Sequence, residues 1–155
     1  MSTKPWSARE CTAGTSQAAI QPEPVVYVYA RIVEIRRVDE GDTVSYDATW
    51  TATRPSLIAT VPLGYADGYP RNASNQGFAV VRDTVVKIAG RVTMDMIMLD
   101  VTDSTADVGD VVTMMGRGEN GESIGAGELA SLAEMSYYEL LTGLRGRLDR
   151  YYIEG

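Results

Sequence analysis

Histidine is absent from all 155 residues, and cysteine occurs once, at position 11. Lysine occurs only as Lys4 and Lys87. The missing histidine removes the side chain that most often serves as general base near neutral pH and as zinc ligand. A lone cysteine excludes an internal disulfide and a cysteine-rich metal site. Nothing beside Cys11 would lower its pKa, so it reads as a bystander. No apolar run is long enough to span a membrane, and residues 1–24 lack the apolar stretch of a secretory signal, so a cytoplasmic location is expected. The net charge of −7 argues against a surface that neutralises nucleic-acid phosphates. Carboxylates, arginines and tyrosines are left to carry chemistry. Tyrosine is abundant, with nine against a single phenylalanine, so most of the aromatic surface carries a hydroxyl.

The length fits one domain. Residues 1–24 are small, polar and interrupted by prolines, with charges that cancel, and read as a poorly ordered leader. From Val25 onward the texture is β, and residues 25–155 form the expected domain. Residues 25–36 are rich in β-branched and aromatic side chains with imperfect alternation, which predicts one long bent strand. Asp39-Glu40-Gly41-Asp42 marks a turn before a second strand over residues 43–50. Further strands are predicted at 56–62, 78–81, 84–88, 96–100 and 111–116. Short strands at this spacing predict a mainly β chain: a small antiparallel, barrel-like sheet. Leu129, Leu132 and Ala133 recur at helical spacing and predict a helix over 128–135. A second short helix at 138–144 and a closing strand at 150–153 complete the expectation.

Three local motifs are candidates for chemistry. Pro62-Leu63-Gly64-Tyr65-Ala66-Asp67-Gly68-Tyr69-Pro70 places glycines around a Tyr-Ala-Asp unit, so its backbone can turn tightly and fix Tyr65 outward. Taken alone, its plain reading is a hairpin loop with a tyrosine packed on the rim. Gly90-Arg91-Val92-Thr93-Met94-Asp95-Met96 sets an arginine and an acid between apolar strands. Its plain reading is a bulged strand with a surface ion pair of small energetic consequence. Ser136-Tyr137-Tyr138-Glu139 follows the amphipathic helix, where adjacent tyrosines commonly serve packing.

In this order and spacing the three motifs resemble the C-terminal domain of alanine racemase. Supporting stretches are Gly41-Asp42-Thr43-Val44-Ser45-Tyr46, Val101-Thr102-Asp103 and Val108-Gly109-Asp110. The resemblance runs from about Val25 to the end. It implies a β domain that follows a barrel holding pyridoxal phosphate on a lysine, in a dimer where each β domain reaches the partner's barrel mouth. It further implies that Tyr65 is the base for the α-proton of L-alanine and that Met94 offers its main-chain N–H to the substrate carboxylate. By the same resemblance Tyr138 bonds the cofactor phosphate, and Arg91 lies near the substrate corridor.

A phenol titrating near ~10 needs cationic neighbours to serve as a base near neutrality. Around Tyr65 the local charges of Asp67 and Arg71 nearly cancel. The barrel and its lysine are not in this sequence, since neither Lys4 nor Lys87 sits in a cofactor motif. Pyridoxal phosphate is therefore expected in a complete enzyme, with none bound covalently to this chain. A barrel domain or homodimer partner and a small amino-acid substrate are the expected partners, with no nucleic acid and no membrane. Three departures from the family pattern stand out: Thr93 where cysteine is frequent, Asp47 in place of a common glycine, and Leu148-Asp149 before Arg150. A non-catalytic binding or dimerisation module that kept the fold, and a domain of a serine racemase, are alternative readings of the same motifs.

Overall fold

The computed structural model describes residues 25–118, 121–144 and 146–152. The expected leader lies outside the described residues. The strands are β1 (Val28–Arg31), β2 (Glu34–Val38), β3 (Thr43–Val44), β4 (Trp50–Thr51), β5 (Ser56–Val61), β6 (Phe78–Val81), β7 (Thr84–Ile88), β8 (Ile97–Asp100), β9 (Val111–Arg117) and β10 (Ser123–Ile124). Two helices follow, α1 (Ala126–Leu132) and α2 (Tyr137–Gly143). The main sheet runs β1-β9-β6-β7-β8-β5-β2, with β10 added to β9, and every pairing is antiparallel.

β1 and β2 occupy the two ends of that path, yet only Ile32 and Val33 separate them in the chain. Ile32 N–H donates to Asp110 O at 3.0 Å on the β9 side, and Val33 N–H donates to Thr60 O at 2.9 Å on the β5 side. The sheet must therefore curl until its edges approach, giving an antiparallel half-barrel. The single strand predicted over 25–36 is consequently two strands. Ile32 turns into the core while Val33 faces solvent, and the chain changes edge between them.

Alternation is clean where one face is wet. In β7, Val86 and Ile88 are buried while Val85 and Lys87 are exposed. β5 is different, being buried at nearly every position. Its Ala59 and Val61 join the main core with Ile88, Ile97, Leu99, Val112 and Met114. Its Ile58 faces the other way, into a small cluster with Val38, Val44, Ala52 and Ala89. The β3–β4 ribbon and the residue that follows it supply Val44 and Ala52 to that cluster, so this segment acts as a lid on the outer face of β5. Each large buried side chain contributes about 1.5–3 kcal/mol.

The strand expected over 43–50 is interrupted by a 3-10 turn at Tyr46–Ala48. Ser45, Asp47 and Ala48 all have positive φ, which no extended strand accommodates. α1 buries Leu129 and Ala130, somewhat earlier in the chain than the predicted 128–135. α2 is the expected second helix, displaced by one residue. β10 has no counterpart in the sequence reading, because two residues carry too little periodicity to read. The predicted closing strand is not formed at Arg150–Tyr152, which have no regular structure; residue 153 lies outside the described residues.

Candidate active site

β5 delivers the chain to one rim of the half-barrel, where Tyr65–Asp67 form a single 3-10 turn. Leu63 before the turn and Tyr69 after it are both in the core, so the loop is anchored at each end. Between these anchors Tyr65 is 44% exposed. The two tyrosines of the motif thus have opposite fates. Burial pushes the Tyr69 phenol far above its ordinary pKa, and its Oη has no partner among the described residues, so it is a packing group.

Asp67 closes the turn from below. Its Oδ2 accepts the Gly64 N–H at 2.9 Å, and the residue is 6% exposed. The turn also leans on the Met94 loop: Tyr65 N–H donates to Thr93 O and Ala66 N–H to Met94 O, each at 3.0 Å. A Cβ on Gly64 would stand 2.2 Å from Met94 O, so the approach requires glycine. Gly68 has φ +102, and a Cβ there would meet Gly143 O at the end of α2, also at 2.2 Å. One motif therefore touches two distant segments through its two glycines.

The second loop is built around a tight turn. Thr93 Oγ1 donates to Met96 O at 2.9 Å and accepts the Met96 N–H at 3.0 Å, which gives the threonine a structural task. Met94 is left exposed, and its main-chain N–H donates to no protein group among the described residues. Arg91 pairs with Asp47 at 2.7 Å, and its carbonyl accepts Ser45 Oγ at 2.8 Å. The ion pair read from the sequence within residues 90–96 is not formed: Arg91 pairs with Asp47, the residue that departs from the family pattern, and Asp95 pairs with Arg147.

Ser136 caps α2, its Oγ accepting the Tyr138 N–H at 3.2 Å, in an S-x-x-E pattern that is a helix-start signature. Leu140 is buried by that helix, and Tyr138 is 77% exposed on its first turn. Tyr138 sits about 7.5 Å along the helix axis from Gly143, at 1.5 Å of rise per residue. The structure thus joins the Tyr65 and Met94 loops by direct hydrogen bonds. It places Tyr138 at the far end of the helix whose last residue meets Gly68.

Sequence reasoning does not single out Arg147. It ion-pairs with Asp67 at 3.3 Å and with Asp95 at 2.6 Å. The hydrogen bond it donates to Asp95, then the charge of Asp67, raise its pKa further above the ordinary guanidinium range. The sequence sets Arg71 against Asp67 as the nearest cation; the counter-ion is Arg147, which is eighty residues from Asp67 in sequence. Only the density of arginines at 145, 147 and 150, directly after a helix, could have signalled it.

Neither of two surface concavities, about 670 Å³ beside β1, β6 and β9 and about 330 Å³ beside residues 71–76, is lined by Tyr65, Met94 or Tyr138. Among the described residues no cluster of three or more His, Cys, Asp or Glu could hold a metal ion. No helix among them is long and apolar enough to cross a membrane.

The fold is a curled antiparallel β domain that leaves the Tyr65 and Tyr138 phenols exposed and, among the described residues, the Met94 main-chain N–H without a protein acceptor. The chain belongs to the alanine racemase C-terminal domain family, whose family model matches residues 25–152. It is 44% identical over 143 residues to an alanine racemase of Sorangium cellulosum, covering 88% of this chain and 38% of that protein. It is 40% identical over 139 residues to the alanine racemase of Geobacter sp., covering 89% and 37%. Among solved structures, it matches the biosynthetic alanine racemase of Pseudomonas aeruginosa with a TM-score of 0.78 at 38% identity, over 85% of this chain and 36% of that one. The alanine racemase of Bacillus anthracis with bound L-Ala-P matches with a TM-score of 0.80 at 32% identity, over 91% and 38%. The chain therefore spans a little over a third of the length of the relatives it matches.

Proposed function

We propose that this chain supplies the tyrosine-bearing part of an alanine racemase active site, completed by a barrel domain that carries pyridoxal phosphate. The observation that carries this reading is the hydrogen-bonded pairing of the Tyr65 turn with the Met94 loop, which sets an exposed phenol and an unused main-chain N–H on two segments bonded to each other.

The residues present fit one edge of that cofactor. Tyr138 offers an exposed phenol on a capped first turn, suited to donate to a phosphate oxygen. They do not supply a covalent anchor. Lys87 lies mid-strand on β7 and, among the described residues, makes no hydrogen bond or ion pair with the Tyr65, Met94 or Tyr138 segments. When bound, pyridoxal phosphate would act as an electron sink that makes the α-proton of the substrate acidic.

Racemisation removes a proton from one face of the α-carbon and returns one to the other, so two acid–base groups must flank it. Tyr65 Oη is the group this chain brings, taking the α-proton of L-alanine; the second base comes with the barrel. Met94 N–H orients the substrate by donating to its carboxylate. Arg147 is already engaged by Asp67 and Asp95, so the cations that favour the phenolate would come from the barrel.

The test is reconstitution of the 155-residue chain with a separately produced barrel segment of a relative. Interconversion of L- and D-alanine is expected only with both parts present. Tyr65→Phe should lower α-proton exchange from L-alanine in heavy water by about 10²–10⁴-fold. Reconstituted activity indifferent to Tyr65→Phe would sink the assignment.

A further inference from the structure

We propose that Arg147 is a positioning residue for Tyr65, bridging Asp67 and Asp95 so that the Tyr65 turn, the Met94 loop and the chain after α2 hold one register. The proposal rests on the reading of Tyr65 as the functional phenol.

Asp67 belongs to the turn that starts at Tyr65, and its two oxygens have different duties. Oδ2 accepts the Gly64 N–H at 2.9 Å, while Oδ1 faces Arg147 Nε at 3.3 Å. The Asp67 side chain is 8% exposed beneath an Arg147 side chain that is 53% exposed, so the guanidinium lies between this carboxylate and solvent. Arg147 Nη2 reaches the other way, to Asp95 Oδ1 at 2.6 Å, directly after Met94 in the chain. Without the cation, two carboxylates would face each other across the contact between the loops. A planar fork can address both at once, whereas a lysine ammonium is a point charge.

The arginine is itself held on a fixed segment. Gly143 O presses on Gly68 just before the segment, and Arg150 Nη2 donates back to Leu144 O at 3.0 Å. The stretch that carries Arg147 is thus bonded across its own ends and starts from a close contact with the Tyr65 turn. Sterics and charge therefore act on the same three segments. The glycine contacts set how closely they approach, and the ion pairs set their register. Tyr65 has no side-chain hydrogen bond of its own among the described residues, so its direction is inherited from this frame.

Amide hydrogen exchange on the 155-residue chain tests the proposal site by site. The N–H groups of Gly64, Tyr65 and Ala66 report the frame, because they donate to Asp67, Thr93 and Met94. The amides of the β5–β8 ladder report global opening. In Arg147→Ala, and nearly as much in Arg147→Lys, the three reporter amides should exchange at least about tenfold faster while the ladder amides stay within about twofold. Asp95→Asn is the milder variant and should loosen Ala66 more than Gly64. Reporter amides that do not change, or that speed up in step with the ladder, would overturn the proposal. In the reconstituted enzyme Arg147→Lys should lower kcat with KM little changed, and a lysine that rescues kcat would equally overturn it. Activity indifferent to Tyr65→Phe would instead remove the reading of Tyr65, with the exchange data still deciding whether Arg147 holds the loop.

Discussion

Two short turns press on the same loop, residues 90–96, and they are built on opposite principles. The Tyr65–Asp67 turn has glycines where the backbone needs them, at 64 and 68, and it buries a carboxylate against a counter-ion. The Tyr46–Ala48 turn uses Ser45, Asp47 and Ala48 at φ 68, 62 and 47, values that favour glycine, and its ion pair lies on the surface. Gly90 supplies the matching space, since a Cβ there would stand 2.6 Å from Val44 O. The first turn is therefore fixed by fit, while the second carries backbone strain of about 1–2 kcal/mol per residue outside the glycine and Asp types. What this teaches is that neighbouring loops on one rim need not share a mechanism of rigidity. The difference can be measured by moving glycine in opposite directions.

The largest effect is expected at Gly64→Ala. Gly64 has an extended backbone that alanine would tolerate, so the whole cost comes from the methyl driven against Met94 O. Urea denaturation should show a loss of about 3 kcal/mol, near the top of the overpacking range. The Tyr65 and Ala66 amides should lose protection in the same variant. A loss under about 1 kcal/mol would mean the two loops separate easily and that the contact is not what fixes Tyr65.

Much of this is legible in the sequence. β6 and β7 have the bounds that the sequence predicts because Phe78–Val81 and Thr84–Ile88 are short and rich in valine, with a two-residue turn between them. The flanking of Tyr65 by Gly64 and Gly68 announces a tight turn. What cannot be read are the long-range terms. Nothing local says that residues 25–36 must break at Ile32 to change edge, since that follows from closure of the whole sheet. Nor does anything near Asp67 identify Arg147, because a counter-ion is chosen by the fold and not by proximity in sequence. The 43–50 segment misleads for a physical reason as well. Its composition is strand-like, but packing against Gly90 overrides propensity and forces positive φ at residues that do not prefer it.

A smaller effect of opposite sign is expected at Ala48→Gly. Ala48 is exposed, so its methyl has little packing to lose, while its φ of 47 is unfavourable for an L side chain. Glycine relieves that strain but adds entropy to the unfolded chain, so the net gain should be about 0.5–1 kcal/mol. A rise in the urea midpoint with an unchanged slope is the expected record. A fall would mean the turn is not strained at Ala48, and the contrast between the two turns would lose half its basis.

The smallest effect belongs to Asp47→Asn. Asparagine is nearly the same shape and accepts the left-handed backbone as readily, so the substitution removes charge and little else. Arg91 would lose its ionic partner, but the Asp47 side chain is 62% exposed, and water can solvate both groups once they part. Exposed pairs of this kind contribute about 0–1 kcal/mol, so the expected loss is at most ~0.5 kcal/mol. Urea is uncharged, so the comparison can be repeated in about 1 M sodium chloride, where screening acts over roughly 3 Å. The difference between the parent chain and the Asp47→Asn variant should then vanish. A loss above about 1 kcal/mol that survives high salt would mean the pair is shielded from solvent. The 45–48 turn would then rest on a shielded charge, as the Tyr65 turn has in its buried Asp67 carboxylate.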